Sequence, residues 1–266
     1  MSNTHAAGSP APARLRELLP DPERTDVRPE EAYAYPTDLT RPWVRANMVA
    51  SADGGAVGPS GRSRDMSSEP DRRVMAVLRG LCDVVVVGAS TVRHEGYRPV
   101  RPREVWAELR EGRPDTPRIA VVSRTLEFDD ALLTTAPDDA RTLVFTVENS
   151  PADRRAFVAE HADLVVVDEY SVRPWHILDA LSERGLYRVL TEGGPHLLAE
   201  FVAADLLDEL CLTVSPHLLG VGSPRIVAGG PPVPGVPGVG TKQTIPLRLA
   251  HLWEAQGNLF TRYLRD

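Results

Sequence analysis

The segment Leu190-Thr191-Glu192-Gly193-Gly194-Pro195-His196-Leu197-Leu198 carries the residue types best suited to chemistry in this chain. An apolar run, Arg188-Val189-Leu190, leads into two glycines, a proline and an amphipathic stretch, which predicts strand, tight turn and helix start. Paired glycines let backbone approach a ligand, and a helix N-terminus offers unpaired N–H groups and a positive dipole end. A diphosphate suits such a place; an ordinary strand-to-helix turn that binds nothing has the same signature. Two more strand ends look alike. Val87-Gly88-Ala89-Ser90-Thr91 sets small residues and hydroxyls after a Val run, and Val121-Val122-Ser123-Arg124 adds a hydroxyl and a guanidinium. The last pair can grip a monophosphate through charge-assisted bonds. Ligands of open α/β sheets collect outside the carboxyl ends of strands, so three such ends point to a phosphorylated dinucleotide, with Ser123 and Arg124 reading a 2′-phosphate. The Gly-x-Gly-x-x-Gly fingerprint follows none of these strands, which disfavours the dinucleotide fold that uses it.

Carboxylates supply the rest of the candidate chemistry. Glu192, at a predicted buried strand end, needs a partner or a ligand. Asp71 either faces a ligand or completes a capping arrangement with Ser68, and Asp53 before Gly54 is also a good turn former. His94 and Glu95 resemble a proton-handling pair, although neighbours in sequence need not face one another. His196 reads as a helix-start residue and His176, beside Trp175, as packing. No His, Cys, Asp and Glu group has zinc-ligand spacing, so no metal is expected.

The elements that must position these groups follow from periodicity. Trp43 to Ala50 reads as a strand ended by Asp53-Gly54-Gly55; Ser68-Glu69-Pro70-Asp71 opens a helix with Val74, Val77, Leu78 and Leu81 on one side. Asp83 to Gly88, Ile119 to Val122, Leu143 to Phe145 and Leu164 to Val167 are short continuous runs, as expected of strands buried on both faces. Leu178 to Leu186 reads as a helix ended by Gly185, Leu197 to Val202 as another, and Glu209 to Ser215 as a strand. Gly220 to Gly240 reads as a long loop or lid, and Leu247 to Ala255 with Leu259 to Leu264 as a closing hairpin. The alternation predicts one α/β domain over residues 41–266 with a mostly parallel central mixed sheet flanked by helices and a C-terminal β-hairpin. Residues 1–40 form a partly disordered N-terminal extension, with Leu15 to Leu19 as one short helical candidate.

Composition narrows the function classes. A chain of 266 residues, 42% hydrophobic, is long enough for a sizeable core. Its net charge of -7 argues against a general nucleic-acid binder and leaves room for a small anion held by local arginines. Only Cys82 and Cys211 occur, both in apolar surroundings, which fits reduced core residues and a cytoplasmic protein. No window approaches the roughly 18 apolar residues that span a bilayer, so no membrane contact is expected.

Four segments occur in one order: Val44 to Gly54, Asp83 to Val92, Thr191 to Leu198, and Asp208-Glu209-Leu210 through Leu219-Gly220. That order resembles the reductase domain of riboflavin biosynthesis, a relative of dihydrofolate reductase, over about Trp43 to Arg265, and most closely its stand-alone actinobacterial pyrimidine reductase members. The resemblance implies a dihydrofolate reductase-like fold, a homodimer, NADPH across the strand ends, and reduction of 5-amino-6-(5-phosphoribosylamino)uracil to its ribitylamino product. Carried over by position, Gly88, Ala89, Thr91 and Val92 would line the nicotinamide ribose and phosphate, Ser123 and Arg124 the 2′-phosphate, and Gly193, Gly194, Pro195, His196 and Leu197 the diphosphate. Asn47, Ser51 and Asp53 would lie on the substrate side; Asp71 would pair with ring N–H groups of a pyrimidine or pterin, Glu192 would point to the cleft, and Glu95 would lie at the phosphoribosyl end. Arg98 and Arg101 would meet the substrate's 5-phosphate. On this resemblance Asp71, Glu192 and Asp53 are the catalytic candidates.

The chain departs from the family pattern at several places. The His-x-Glu and Pro-Cys-x-x-Cys pattern of the zinc deaminase often fused to this domain is missing. His94-Glu95-Gly96-Tyr97 stands where members usually carry Asp-Asp/Asn-Pro, and Asn47 stands where many carry lysine. Both changes touch the phosphoribosyl end, so two other classes stay open: a reductase of dihydrofolate, a pterin or another small heterocycle, and a non-catalytic nucleotide or flavin binder.

Overall fold

The computed structural model describes residues 15–20, 27–229 and 245–266. Among them, ten strands form one sheet: β1 (Arg16–Leu19), β2 (Trp43–Ser51), β3 (Val84–Gly88), β4 (Arg118–Val122), β5 (Leu143–Val147), β6 (Asp163–Asp168), β7 (Arg188–Thr191), β8 (Glu209–Ser215), β9 (Arg248–Ala255) and β10 (Asn258–Leu264). The order across the sheet is β1-β9-β10-β8-β2-β7-β3-β4-β5-β6. From β8 to β6 every neighbour is parallel, while β10, β9 and β1 are added antiparallel. The expected mixed, mostly parallel α/β sheet with its C-terminal hairpin is therefore present.

The Val runs explain why the sheet is covered on both sides. Along β3, Val85 and Val87 enter one apolar cluster and Val84 and Val86 the other, as the two-residue repeat of a strand requires. The first cluster is roofed by α2 (Glu69–Leu81), α3 (Ala89–Glu95) and α5 (Ala152–His161), and the second by α6 (Pro174–Ser182) and α7 (Pro195–Ala203); α1 (Pro29–Ala32) and α4 (Ala131–Thr134) are single turns. α2 begins as its sequence predicts: Ser68 Oγ accepts the Asp71 amide at 3.3 Å, Pro70 lies in the first turn, and Val74, Val77 and Leu78 are buried. None of these helices is long and apolar enough to cross a membrane.

Several expectations need correction. Leu15 to Leu19 is not helical: β1 pairs with β9, whose open edge offers unpaired backbone groups, and the buried Glu17 accepts a bond from Trp253 Nε1 at 3.3 Å. The helix expected over Leu178 to Leu186 starts earlier, on Pro174, and stops at Ser182; Gly185, at φ +68°, carries the chain back so that Leu186 N reaches Leu181 O. β6 is an edge strand with Val166 exposed, not a strand buried on both faces. The small residues and hydroxyls after the β3 Val run open a short helix, Ala89–Glu95. Residues 1–14 of the expected disordered tail, and 230–240 of the expected lid, lie outside the described residues.

The described part of the extension is tied to a buried charge cluster. Arg45 of β2 lies fully buried beneath Tyr35, 4.0 Å from its ring centre, and pairs with Glu209 of β8 at 2.7 Å. Arg262 of β10 takes the same carboxylate at 2.8 Å. One anion thus serves two guanidinium groups and locks three strands. Glu209→Ala would leave both cations uncompensated, and is expected to destabilise the fold by about 3–5 kcal/mol. Urea unfolding measures this; a loss below about 1 kcal/mol would mean the cluster is not what holds these strands.

Candidate active-site cavity at the carboxyl ends of the strands

Because β7 lies between β2 and β3 and all three run parallel, their carboxyl ends meet at one rim. Thr191 ends β7 beside Ala46 and Val86, and Gly88 ends β3 beside Val122. Gly88 N donates to Gly193 O at 2.9 Å, so the β3–α3 and β7–α7 turns touch. The second turn is tightly packed. Gly193 has φ +84°, and a Cβ on Gly194 would stand 2.5 Å from Thr91 Oγ1. The peptide joining them is cis. The first hydrogen bond of α7 runs from Leu198 N to Gly194 O at 3.0 Å, which leaves the amides of His196 and Leu197 without helical partners. Burial raises the Glu200 carboxyl, and the charges of Arg173, Arg124 and His196 pull it back. Arg124 follows the end of β4, whose Val122 pairs with Gly88, and so stands at the same rim.

Beside the rim opens a cavity of about 1020 Å³. Its walls are α2, the loop from Ala56 to Ser67, the turn and loop after α3, and the β7–α7 turn. Asp71, Met75 and Arg79 recur every four residues and give one face of α2 to it. Among the described lining residues, six arginines (64, 72, 79, 98, 101 and 103) face three carboxylates, those of Asp71, Glu95 and Glu192. In a chain whose net charge is -7, this is a local positive field.

The expected site residues divide cleanly. Asn47, Asp71, Thr91, Glu95, Arg98, Arg101, Glu192, Gly194 and Pro195 line the cavity. Gly88, Ser123, Arg124, Gly193 and His196 lie along the rim next to it. Ser51 and Asp53 do neither. The Ser51 hydroxyl donates to Asp53 at 2.5 Å and accepts the Gly55 amide at 2.8 Å, and Asp53 accepts the Leu219 and Gly220 amides. These bonds lower the exposed Asp53 carboxyl to about 2. The pair tethers the loop after β8, bonds that occupy both residues without a ligand. Ala89, Val92 and Leu197 turn their side chains into the core, so only their backbone reaches the rim. Ser123 is buried with its Oγ accepting the Leu126 amide at 2.8 Å. Arg98 is engaged by Asp129 at 2.5 Å and by the Tyr97 carbonyl, which leaves Arg101 as the phosphate candidate of that pair. His94 bonds back to Ser90 O, and Glu95 accepts the Ser63 amide at 2.6 Å, so the two do not form a proton pair.

Glu192 has partners that sequence reasoning missed. Arg79 Nε and Nη2 grip its two oxygens at 2.7 and 2.6 Å, and the Tyr97 hydroxyl donates at 2.5 Å. Arg79 was legible in principle, since it stands two helical turns from Asp71 on the same face. Burial alone would raise Glu192, but Arg79 and Tyr97 outweigh it and hold the carboxyl below the ordinary glutamate value of 4.5. A group so depressed contributes stability that is complete above 4.5 and is lost as pH falls through its folded value. Asp71 moves the other way: burial raises it, only partly offset by bonds from Ser67 and Thr213 and the charge of Arg72. Stability measured by urea unfolding should therefore fall less steeply in Glu192→Gln than in the natural chain as the pH drops below 4.5. Parallel pH profiles would show that Glu192 is not held ionised.

Known proteins share this arrangement. The family described as the RibD C-terminal domain matches residues 42–257. A 2,5-diamino-6-ribosylamino-4(3H)-pyrimidinone 5′-phosphate reductase of Archaeoglobus fulgidus is 31% identical over 186 residues, 68% of this chain and 83% of the relative. The reductase of the same name from Methanothermobacter thermautotrophicus is 28% identical over 196 residues, 71% and 85%. Among solved structures, a pyrimidine reductase-like protein from Corynebacterium diphtheriae superposes with a TM-score of 0.77 at 26% identity, covering 90% of this chain and 99% of that one. By this extent of match, the chain belongs to the RibD C-terminal domain family.

Proposed function

We propose that the chain reduces a phosphorylated 6-ribosylaminopyrimidine with NADPH. The reading is carried by one juxtaposition: a glycine-built phosphate cradle opening directly onto an arginine-rich cavity large enough for a second ligand. The names of the relatives support a diaminopyrimidinone ribosyl 5′-phosphate as the substrate. The aminouracil phosphate implied by the sequence resemblance differs from it only at ring position 2. The family likeness also supports a homodimer working in the cytoplasm.

The residues present fit the cofactor. The turns at Gly88 and Gly193-Gly194 present bare backbone at the rim, and the amides of His196 and Leu197 at the start of α7 would offer a diphosphate donors. Arg124, one strand further along the rim, would take the 2′-phosphate, and Thr91 the nicotinamide end. Bound there, NADPH supplies a hydride. On the substrate side, the glycosylamine nitrogen expels the ring oxygen, which takes up a proton, and hydride adds to C1′ of the iminium that results. The protein's part is to orient and to neutralise charge. Arg101, free of ion pairs among the described residues, would hold the 5-phosphate. Glu192, gripped by Arg79 and Tyr97, fixes the floor of the cavity and is a positioning residue rather than an acid.

The deciding assay follows NADPH oxidation with the diaminopyrimidinone phosphate, the aminouracil phosphate and dihydrofolate in parallel. Faster turnover of either aminopyrimidine is expected. Faster turnover of dihydrofolate would make the chain a pterin reductase, and binding of NADPH without oxidation would make it a binder. Arg124→Ala should raise KM for NADPH about tenfold or more and leave NADH unchanged, since only the former carries the extra phosphate. Equal losses would remove Arg124 from that role.

A further inference from the structure

If the chain is a pyrimidine reductase, as proposed above, its choice of substrate falls to the inner wall of the cavity. That wall is the face of α2 that runs from Arg79 to Asp71, about 12 Å along the helix axis. Arg79 is fastened at one end to Glu192, next to the glycine cradle. Met75 lies between the two, and Met48 also lines the cavity, so an apolar wall leads from the cradle towards Asp71. A flat ring fits such a wall.

Asp71 differs from the other two carboxylates of the cavity. Glu192 is neutralised by an arginine, and Glu95 accepts the Ser63 amide. Asp71 is buried, yet among the described residues no arginine grips it: its neighbour Arg72 donates to the Ser67 carbonyl instead. A hydroxyl orients it, Ser67 Oγ donating at 2.5 Å. A buried carboxylate has capacity for about four hydrogen bonds, and its remaining acceptor sites call for donors from the cavity.

We propose that Asp71 is the specificity-determining residue that reads position 2 of the pyrimidine. Its carboxylate presents two acceptors side by side, which match the ring N3–H and the N–H of a 2-amino group. In the 2-oxo pyrimidine the amino donor is replaced by a carbonyl, and one acceptor then faces another. Sites built to receive a donor discriminate strongly against analogues that lack it. An asparagine at the same place would offer one acceptor and one donor, the pattern that suits N3–H beside a 2-oxo group.

The test is a competition, with the diaminopyrimidinone phosphate and the aminouracil phosphate mixed in one reaction and both ribitylamino products quantified. The product ratio is independent of how much enzyme is folded. The natural chain should favour the 2-amino substrate by about tenfold or more, and Asp71→Asn should reverse the order. Ser67→Ala, which frees the carboxylate to turn, should lower the ratio without reversing it. No preference in the natural chain, or a ratio unmoved by Asp71→Asn, overturns the assignment while leaving the reductase reading intact. Turnover of neither pyrimidine overturns both.

Discussion

The site depends on a strand only four residues long. β7 runs parallel to β2 on one side and β3 on the other, so its chain must leave upward into a helix and cannot return through a hairpin. The turn that begins that helix is thereby forced against the turn that ends β3. Glu192 N reaches Val86 O and Gly88 N reaches Gly193 O, which continues the ladder past the last strand residue. At so close an approach, a side chain on Gly194 would collide with Thr91. Sheet order therefore brings the two glycine-containing turns together at one rim.

Two buried carboxylates divide the labour of holding that geometry. Glu209 lies away from the cavity and joins β2, β8 and β10 through Arg45 and Arg262. Glu192 joins α2, the β7 end and the segment after α3 through Arg79 and Tyr97. In both cases a charge taken out of water is kept only because its bonds are saturated. What differs is the solvent side. Glu192 has an arginine-lined void beside it, so fixing its charge also fixes the field in which a ligand would sit.

The sheet was legible because its signal is local: continuous Val runs between turn residues allow little else. α2 was legible from its cap and its four-residue repeat. α5 was not, since Val158 is its one buried residue and its sequence carries no stripe to read. β1 was not, because four residues acquire a strand conformation only by meeting the free edge of β9, a partner more than two hundred residues away. The rim residues were found from strand ends and glycines, which announce themselves. The companions of Glu192 were not: Arg79 shares a helix face with Asp71, but nothing in the spacing ties it or Tyr97 to a strand end more than ninety residues away. Asp53 is ambiguous for the opposite reason: an acid before a glycine looks the same whether it serves a ligand or a loop.

The Asp-Glu-Leu segment shows how a motif can be specific without being catalytic. Asp208 accepts the Val44 amide at 2.8 Å and both ends of the Arg41 guanidinium, while Glu209 takes Arg45 and Arg262. Together they set the register of β2 against β8, which carries Asn47 to the cavity and Ser51 to the loop after β8. The departure at His94-Glu95-Gly96-Tyr97 obeys the same logic. Gly96, left-handed at φ +72°, ends α3 and directs Tyr97 inward, where its hydroxyl completes the bonding of Glu192. Glu95, at the last turn of α3, ties the loop at Ser63 to the same helix. This stretch therefore serves as scaffolding beside the cavity that the arginines and Asn47 line.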